Sequence, residues 1–495
     1  MADPVSTMNN PAGSARWPIG GRERIRSVSG PAPLALMALA AIAIAAVGGA
    51  AVAVAGLEGF VVSVSLVACV FVLLDFRIGV ALLIVLLPVS ASHVFPHSIA
   101  GIVGLNPLNL LLAGTLGSAL LHRDSAAAVV RSASPQLVFL YVLPMIVAGA
   151  IGYRHVGEIP AYFSAMELVD FTDAMGYVRD LLVKPLFIVL FAMLAGAAAA
   201  RSPKLSGFLG PMVVSIWMMC LLTIGFVYLS GASLRELSSA TSRNFFLPLG
   251  IHANDLGRLY TVAYALLLYT FASTTDHRLR FVLMLSMGAA IVALTLTFSR
   301  AAFFGFAVVN VLFLFSRRHL KTLLFGAVLL AALLFALPGA VYDRLATGWG
   351  NGLDAITAGR FNEIWLPLLP EVMGSPIYGH GLGAILWADA TREGLILQVT
   401  HPHNGYLEAL LDVGIAGTIL VCAFFAWVWK GFRRLARDPA LDAAQRGFFE
   451  GAAVGLLSFL LAGFFGSSLM PVPEQSYLWL AIGMMMGFRI RQREA

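Results

Sequence analysis

Long apolar runs separated by short polar stretches are the dominant pattern of this chain. A membrane-crossing helix needs about 20 apolar residues. Runs of that kind fall at 33–55, 59–75, 78–93, 104–121, 136–152 and 185–200, then at 208–230, 254–273, 281–298, 302–316 and 322–338. The last three are at 405–428, 448–467 and 476–489. The pattern predicts an all-α, polytopic integral membrane protein with about 14 transmembrane helices, or 12–14 if the tight pairs 59–75/78–93 and 281–298/302–316 are merged.

Composition agrees. The chain is 59% hydrophobic and 12% charged over 495 residues, where soluble domains are about 45–50% apolar and about 25% charged. A water-soluble chain of this size has no core large enough for so much apolar surface. Disordered, collagenous and disulfide-stapled classes are excluded by the same figures. Cys69, Cys220 and Cys422 all lie in apolar runs and read as buried small hydrophobes, without disulfide or zinc spacing.

The net charge of +6 reports topology rather than nucleic-acid binding, because the basic residues lie between apolar runs. With the N-terminus inside, 22 of the 32 basic residues fall in cytoplasmic segments, as the positive-inside rule requires. Both termini are then cytoplasmic. The expected layout is a disordered tail at 1–31, membrane helices over 32–200 with an outer loop at about 153–184, and a second group over 201–338. A large periplasmic loop at 339–404, packed as a lid over the outer face, precedes C-terminal helices over 405–489 and a short tail at 490–495. The N-terminal tail is too long for the basic region of a cleavable signal, and the run after it is span-length.

Basic residues on the outer side are scarce and carry the candidate chemistry. Arg300, in Ser299-Arg300-Ala301, has apolar helix on both sides. Such an arginine must snorkel, pair, or hold an anionic ligand. Arg243 precedes Asn254-Asp255-Leu256-Gly257, where Asn254 or Asp255 could equally cap a helix. Arg360 stands three residues before Glu363 and five before Trp365.

His401-Pro402-His403-Asn404-Gly405-Tyr406-Leu407-Glu408 enters a membrane helix from the long loop. A helix N-terminus attracts anions and opposes protonation of a nearby histidine, leaving a neutral imidazole able to accept a proton. A metal held by His401 and His403 lacks an identifiable third ligand, and capping alone is the plain structural alternative. Asp412, one turn beyond Glu408, lies deep enough to need a partner. Gly379-His380-Gly381-Leu382-Gly383 has no strand–helix context for a nucleotide and reads as a tight turn.

In order and spacing these motifs resemble the O-antigen ligase and polymerase family of bacterial inner-membrane glycosyltransferases. The resemblance covers about 200–420; the N-terminal half matches in hydropathy alone. It implies an undecaprenyl diphosphate-linked glycan as donor at the periplasmic face, with a lipid A core (ligase) or another lipid-linked repeat (polymerase) as acceptor. His403, Arg300 and Arg243 fall on the family's essential residues and Arg360 on a recurrent loop arginine, while His401 occupies a variable position. The binding set expected beside them is Arg360, Asn404, Asn254, Trp365 and Glu408, with no metal and no cofactor. Trp365 or Trp387 would stack on sugar or anchor at the interface. Polysaccharide export or chain-length proteins are further expected partners. The span count leans the reading towards a polymerase over a ligase. A flippase without chemistry is the rival class; it would need charges facing a central path, whereas the charges here gather at the outer ends.

Overall fold

The computed structural model describes residues 67–99, 102–202, 204–233, 236–237, 245–316, 339–346, 350, 352–466 and 468–494, with isolated positions before 67. The expected tail at 1–31, the spans at 33–55 and 322–338, most of the run 59–66 and Arg243 lie outside the described residues. Residues 1–63 and 64–495 form two units.

The second unit is built from helices, with one two-residue ribbon pairing Ser98–Ile99 with Ile102–Val103. In chain order these are α1 (Phe76–Leu86), α2 (Pro107–Leu121), α3 (Arg123–Ser132), α4 (Pro135–Glu158), α5 (Ala174–Arg201), α6 (Ser206–Ser230), α7 (Ala253–Ser273), α8 (His277–Leu296), α9 (Arg300–Ser316), α10 (Leu366–Gly374), α11 (Gly405–Leu435), α12 (Ala443–Phe465) and α13 (Ser476–Glu494). Among the described residues six helices, α4, α5, α6, α8, α11 and α12, are long and apolar enough to cross a membrane, while α1, α2 and α9 are apolar but shorter. Large apolar side chains stand exposed along α8, Phe281, Val282, Met284, Leu285 and Val292 among them. Hydrocarbon is the solvent such a face fits. The protein is a multi-pass helical membrane protein.

Close helix packing is set by small residues. On α12, Gly447, Gly451 and Gly455 recur every fourth position along the face that meets α7. A Cβ at Gly447 or Gly451 would sit 2.5 Å from the Tyr269 or Ala265 carbonyl oxygen. On α13, Gly483 and Gly487 leave no room for a side chain beside the Ala192 and Gly196 carbonyls of α5. With no hydrophobic gain for helices already in lipid, such backbone approach is what holds membrane helices together. Helix α13 is buried nearly all round, with Trp479 enclosed in its first turn.

Helix α11 is one element in sequence and two in geometry. It breaks at Gly414, whose φ of 67° and ψ of −174° are non-helical. The break leaves backbone groups without intrahelical partners, a severe cost at membrane depth. The stretch 376–384 supplies them. Ile415 and Ala416 donate to the carbonyls of Pro376 and Ile377 at 2.7 and 3.2 Å, and the carbonyls of Leu411 and Asp412 accept from His380 and Gly381 at 2.7 and 3.0 Å. The Asp412 carboxylate accepts from the Ala384 N–H at 3.0 Å. The glycine run is thus more than a turn: it is spliced into a broken helix. Gly379 and Gly414 face each other so closely that a Cβ on either would collide with the other's backbone, and Gly381 lies as tightly against Gly152 of α4.

The connecting segment 339–404 is ordered where it is described, with short helices at Gly339–Ala346 and Gly352–Thr357 before α10. Helix α4 continues to Glu158 and α5 begins at Ala174, with a single helical turn at Tyr162–Ala165 in the connection between them.

Candidate functional site

Three helix N-termini that are distant in sequence meet at one place. Helix α7 begins after His252, whose Nδ1 accepts the Asn254 N–H at 3.2 Å. The capping role that sequence offered to Asn254 or Asp255 therefore falls to His252, and Asn254 is released for another bond. Its Oδ1 accepts from the Ser299 hydroxyl at 2.7 Å, tying the start of α7 to the start of α9.

Helix α9 follows α8 through a tight hairpin in which Phe298 takes a φ of 47°. The Ser299 hydroxyl also accepts from Ala302 N–H at 3.3 Å, so Arg300 occupies the first position of α9 and is half-buried. Gly257 lets this happen, because a Cβ there would overlap the Ala302 side chain. The spacing of Asn254 and Gly257 thus carries two contacts, a polar one with Ser299 and a steric one with Ala302.

Helix α11 begins after Asn404, whose Oδ1 accepts from Tyr406 and Leu407 N–H groups at 3.1 and 3.2 Å. That bond employs Asn404 as a cap, worth about 1 kcal/mol. His403 just before it is held at a φ of 54°, a left-handed conformation that costs a non-glycine residue about 1 kcal/mol. Its ring lies 4.2 Å from that of His401, edge to face. Trp365 steadies the same turn by donating Nε1–H to the Pro402 carbonyl at 2.8 Å.

Arginine 258 joins these parts and was missed in the sequence. It sits one turn into α7, 8% exposed, and donates to the Gly466 carbonyl at 2.6 Å while pairing with Asp255. Arg360 donates to the neighbouring Phe465 carbonyl at 3.0 Å. A side chain at Gly466 would meet both the His403 carbonyl and the Arg360 guanidinium. Glu408 and Glu474 lie close enough to Arg258 to interact with its charge. Ser468 hydrogen-bonds the Glu408 carboxylate. Burial raises the Glu474 carboxyl above the usual range, with the charge of Arg258 opposing that rise. The signal available in sequence was an arginine inside an apolar run, three positions after Asp255 and on its face of the helix.

The surroundings are rich in positive charge. The protein packed about His401, followed by His252, Arg360 and Arg258, pushes its imidazole down to about 4, although part of the residue remains open to solvent. His401 is therefore neutral at pH 7. Residues His403, Arg360, Asn404, Trp365 and Glu408 of the expected set are gathered around 465–468. Asn254 and Arg300 join them through the Ser299 bond and Arg258. Arg243 lies outside the described residues. Trp387 is elsewhere, 4% exposed and stacked on His155 with ring centres 5.7 Å apart. Among the described residues no three His, Cys, Asp or Glu side chains converge as metal ligands would.

Fold and site together define a multi-pass membrane protein with arginines and histidines gathered at converging helix N-termini, a setting suited to an anionic group. Comparison with known proteins finds a likeness over part of the chain: residues 282–422 match the family model described as O-antigen ligase. The chain is also 27% identical over 173 residues to an O-antigen ligase of Pseudomonas aeruginosa, a stretch spanning 34% of this chain and 39% of that relative. The family match covers Arg300, Arg360, His403 and the spliced loop. It leaves out Asn254, Arg258 and the segment 465–474.

Proposed function

We propose that the protein is a membrane glycosyltransferase that moves a glycan from an undecaprenyl diphosphate carrier to an acceptor hydroxyl at the periplasmic face of the inner membrane. One observation carries the reading. Arg258 and Arg360 are held on consecutive carbonyls beside His403, and the Asn254–Ser299 bond brings Arg300 to the same group of helix ends.

In this mechanism Arg300 and Arg360, with Arg243, grip the diphosphate. Guanidinium forks match phosphate oxygens, and their effect grows in a partly dehydrated site. His403 takes the acceptor proton as general base, an effect of about 10²–10⁴-fold. The acceptor oxygen bonds to the anomeric carbon as the bond from that carbon to the diphosphate oxygen breaks, and the carrier diphosphate leaves with the electron pair. Attack opposite the leaving group inverts the configuration. Arginines meet the leaving charge, so the step proceeds with chelator present.

Within this class we favour ligation to a lipid A core over polymerisation. The span count that leant towards a polymerase depends partly on residues outside those described, and the named relative is a ligase. The test is mass spectrometry of lipid-linked glycans in a deletion strain complemented by wild type, Arg300→Ala or His403→Ala. Long polymers stranded on the carrier beside an unmodified core, cured by wild type alone, mean ligase. Accumulated single repeat units mean polymerase. An unchanged glycan pool in every strain overturns the transferase reading.

A further inference from the structure

A second polar site lies outside this cluster. A cavity of about 200 Å³ opens between the end of α4, helix α10 and the segment after the spliced loop. Its rim is charged: Glu158 pairs with His155 at 2.8 Å and with Arg392 at 3.3 Å, and Arg392 also pairs with Asp389. Glu371 lines one wall, one oxygen accepting the Ala390 N–H at 3.3 Å. Trp387 and Leu411 are buried in its lining. Leu411 belongs to the first half of α11, roughly 9 Å of helix rise beyond Gly405.

The Trp387 indole is 4% exposed, yet its Nε1–H has no hydrogen-bond partner among the described residues. Leaving such a donor buried and unmade costs about 1–3 kcal/mol, so buried donors of this kind call for an acceptor. The cavity offers both kinds of group: donors in Trp387 and Arg392, acceptors in Glu371, Asp389 and Glu158. Its volume equals roughly six or seven waters at about 30 Å³ each, the space of one pyranose ring. A divalent ion is a poorer fit, because the carboxylates are engaged with Arg392, His155 and a backbone N–H and, among the described residues, no three ligands converge. A sugar ring, which carries hydroxyls that both donate and accept, matches a mixed lining of this kind.

We propose that this cavity is a saccharide subsite, taking one uncharged pyranose unit with a ring or hydroxyl oxygen on the Trp387 Nε1–H and hydroxyls on Glu371 and Asp389. The choice of a saccharide rests on the transferase reading. The acidic majority of the lining, three carboxylates against one arginine, sets its specificity by repelling uronic acids.

The test uses the full chain in lipid nanodiscs. Saturation-transfer NMR is recorded with the methyl glycosides of glucose, galactose, mannose, rhamnose and N-acetylglucosamine, and with methyl glucuronide. At least one uncharged glycoside should bind, the glucuronide should not, and Trp387→Phe and Glu371→Gln should each weaken binding at least tenfold. Glu371 is half-buried, so its variant carries the test if Trp387→Phe unfolds. No binding by any glycoside, binding unchanged in Glu371→Gln, or preference for the glucuronide overturns the subsite. Transfer measured on the same preparation separates the two readings. Glycoside binding at this cavity without transfer sinks the transferase and leaves the subsite, and transfer with no binding there does the reverse.

Discussion

Arg258 and Arg360 donate to two consecutive carbonyls, those of Gly466 and Phe465, at 2.6 and 3.0 Å. One arginine comes from helix α7 and the other from the long connecting segment, so a single stretch of backbone after α12 fixes their separation. The bonds differ in burial and therefore in energy. Removing Arg258 strands the Gly466 carbonyl and leaves Asp255, Glu408 and Glu474 without their cation, a loss of about 3–5 kcal/mol by analogy with broken buried pairs. Arg360→Met should cost about 1 kcal/mol. Thermal melting in detergent should show a much larger drop for Arg258→Met than for Arg360→Met, with transfer reduced in both. Equal melting temperatures would contradict the role given to Arg258.

Gly414 should tolerate no side chain. Its φ is positive, and a Cβ would collide with the Ile377 carbonyl that the splice requires. Gly414→Ala should destabilise the protein by several kcal/mol or prevent its accumulation, combining backbone strain with overpacking. Gly288→Ala, where nothing lies within 4 Å, is the control and should match wild type in expression and melting. A normal Gly414→Ala protein would mean that the loop and helix are not locked together.

The Asn254–Ser299 bond predicts non-additivity. Asn254→Ala and Ser299→Ala remove the same 2.7 Å contact, so the double variant should lose less than the sum of the singles, with a coupling of about 0.5–3 kcal/mol. Unfolding free energies for the four proteins of the cycle decide it. Simple additivity would mean that the two helix starts are joined by something else.

His401 gives the site a pH dependence with a definite sign. Its folded value is pushed down to about 4 from an ordinary 6.5, so between those limits the unfolded chain binds more protons than the folded one. Stability then rises with pH from about 4 to 6.5, and is lost as pH falls through that window. His401→Gln should flatten that part of the melting curve against pH. Bound pyrophosphate, a mimic of the carrier's anionic group, should offset His252, Arg360 and Arg258 and raise the histidine's midpoint in NMR titration. A midpoint indifferent to pyrophosphate would place the anion away from these residues.

Membrane class, helix positions and the resemblance could be read from the chain because each depends on local pattern. Hydropathy alone separates α6, α8 and α11 from their connections, since a segment in hydrocarbon must satisfy its own backbone. His403 and Arg300 stood out because a histidine at a helix start and an arginine between apolar runs are anomalies within a few residues of sequence. Tertiary structure decided the rest. Asn254 became a partner of Ser299 rather than a cap, Asn404 became a cap, and the glycine run at 379–383 became the missing hydrogen-bond partner of a helix broken at Gly414. Arg258 looked like one more basic residue until its carbonyl acceptor arrived from a segment 208 residues away. Sequence alone determined that the chain carries helices apolar enough for lipid, because hydropathy is a property of each segment. Only packing decided which helix ends share a site, because a hydrogen bond between distant residues exists once close small-residue contacts have brought their backbones together.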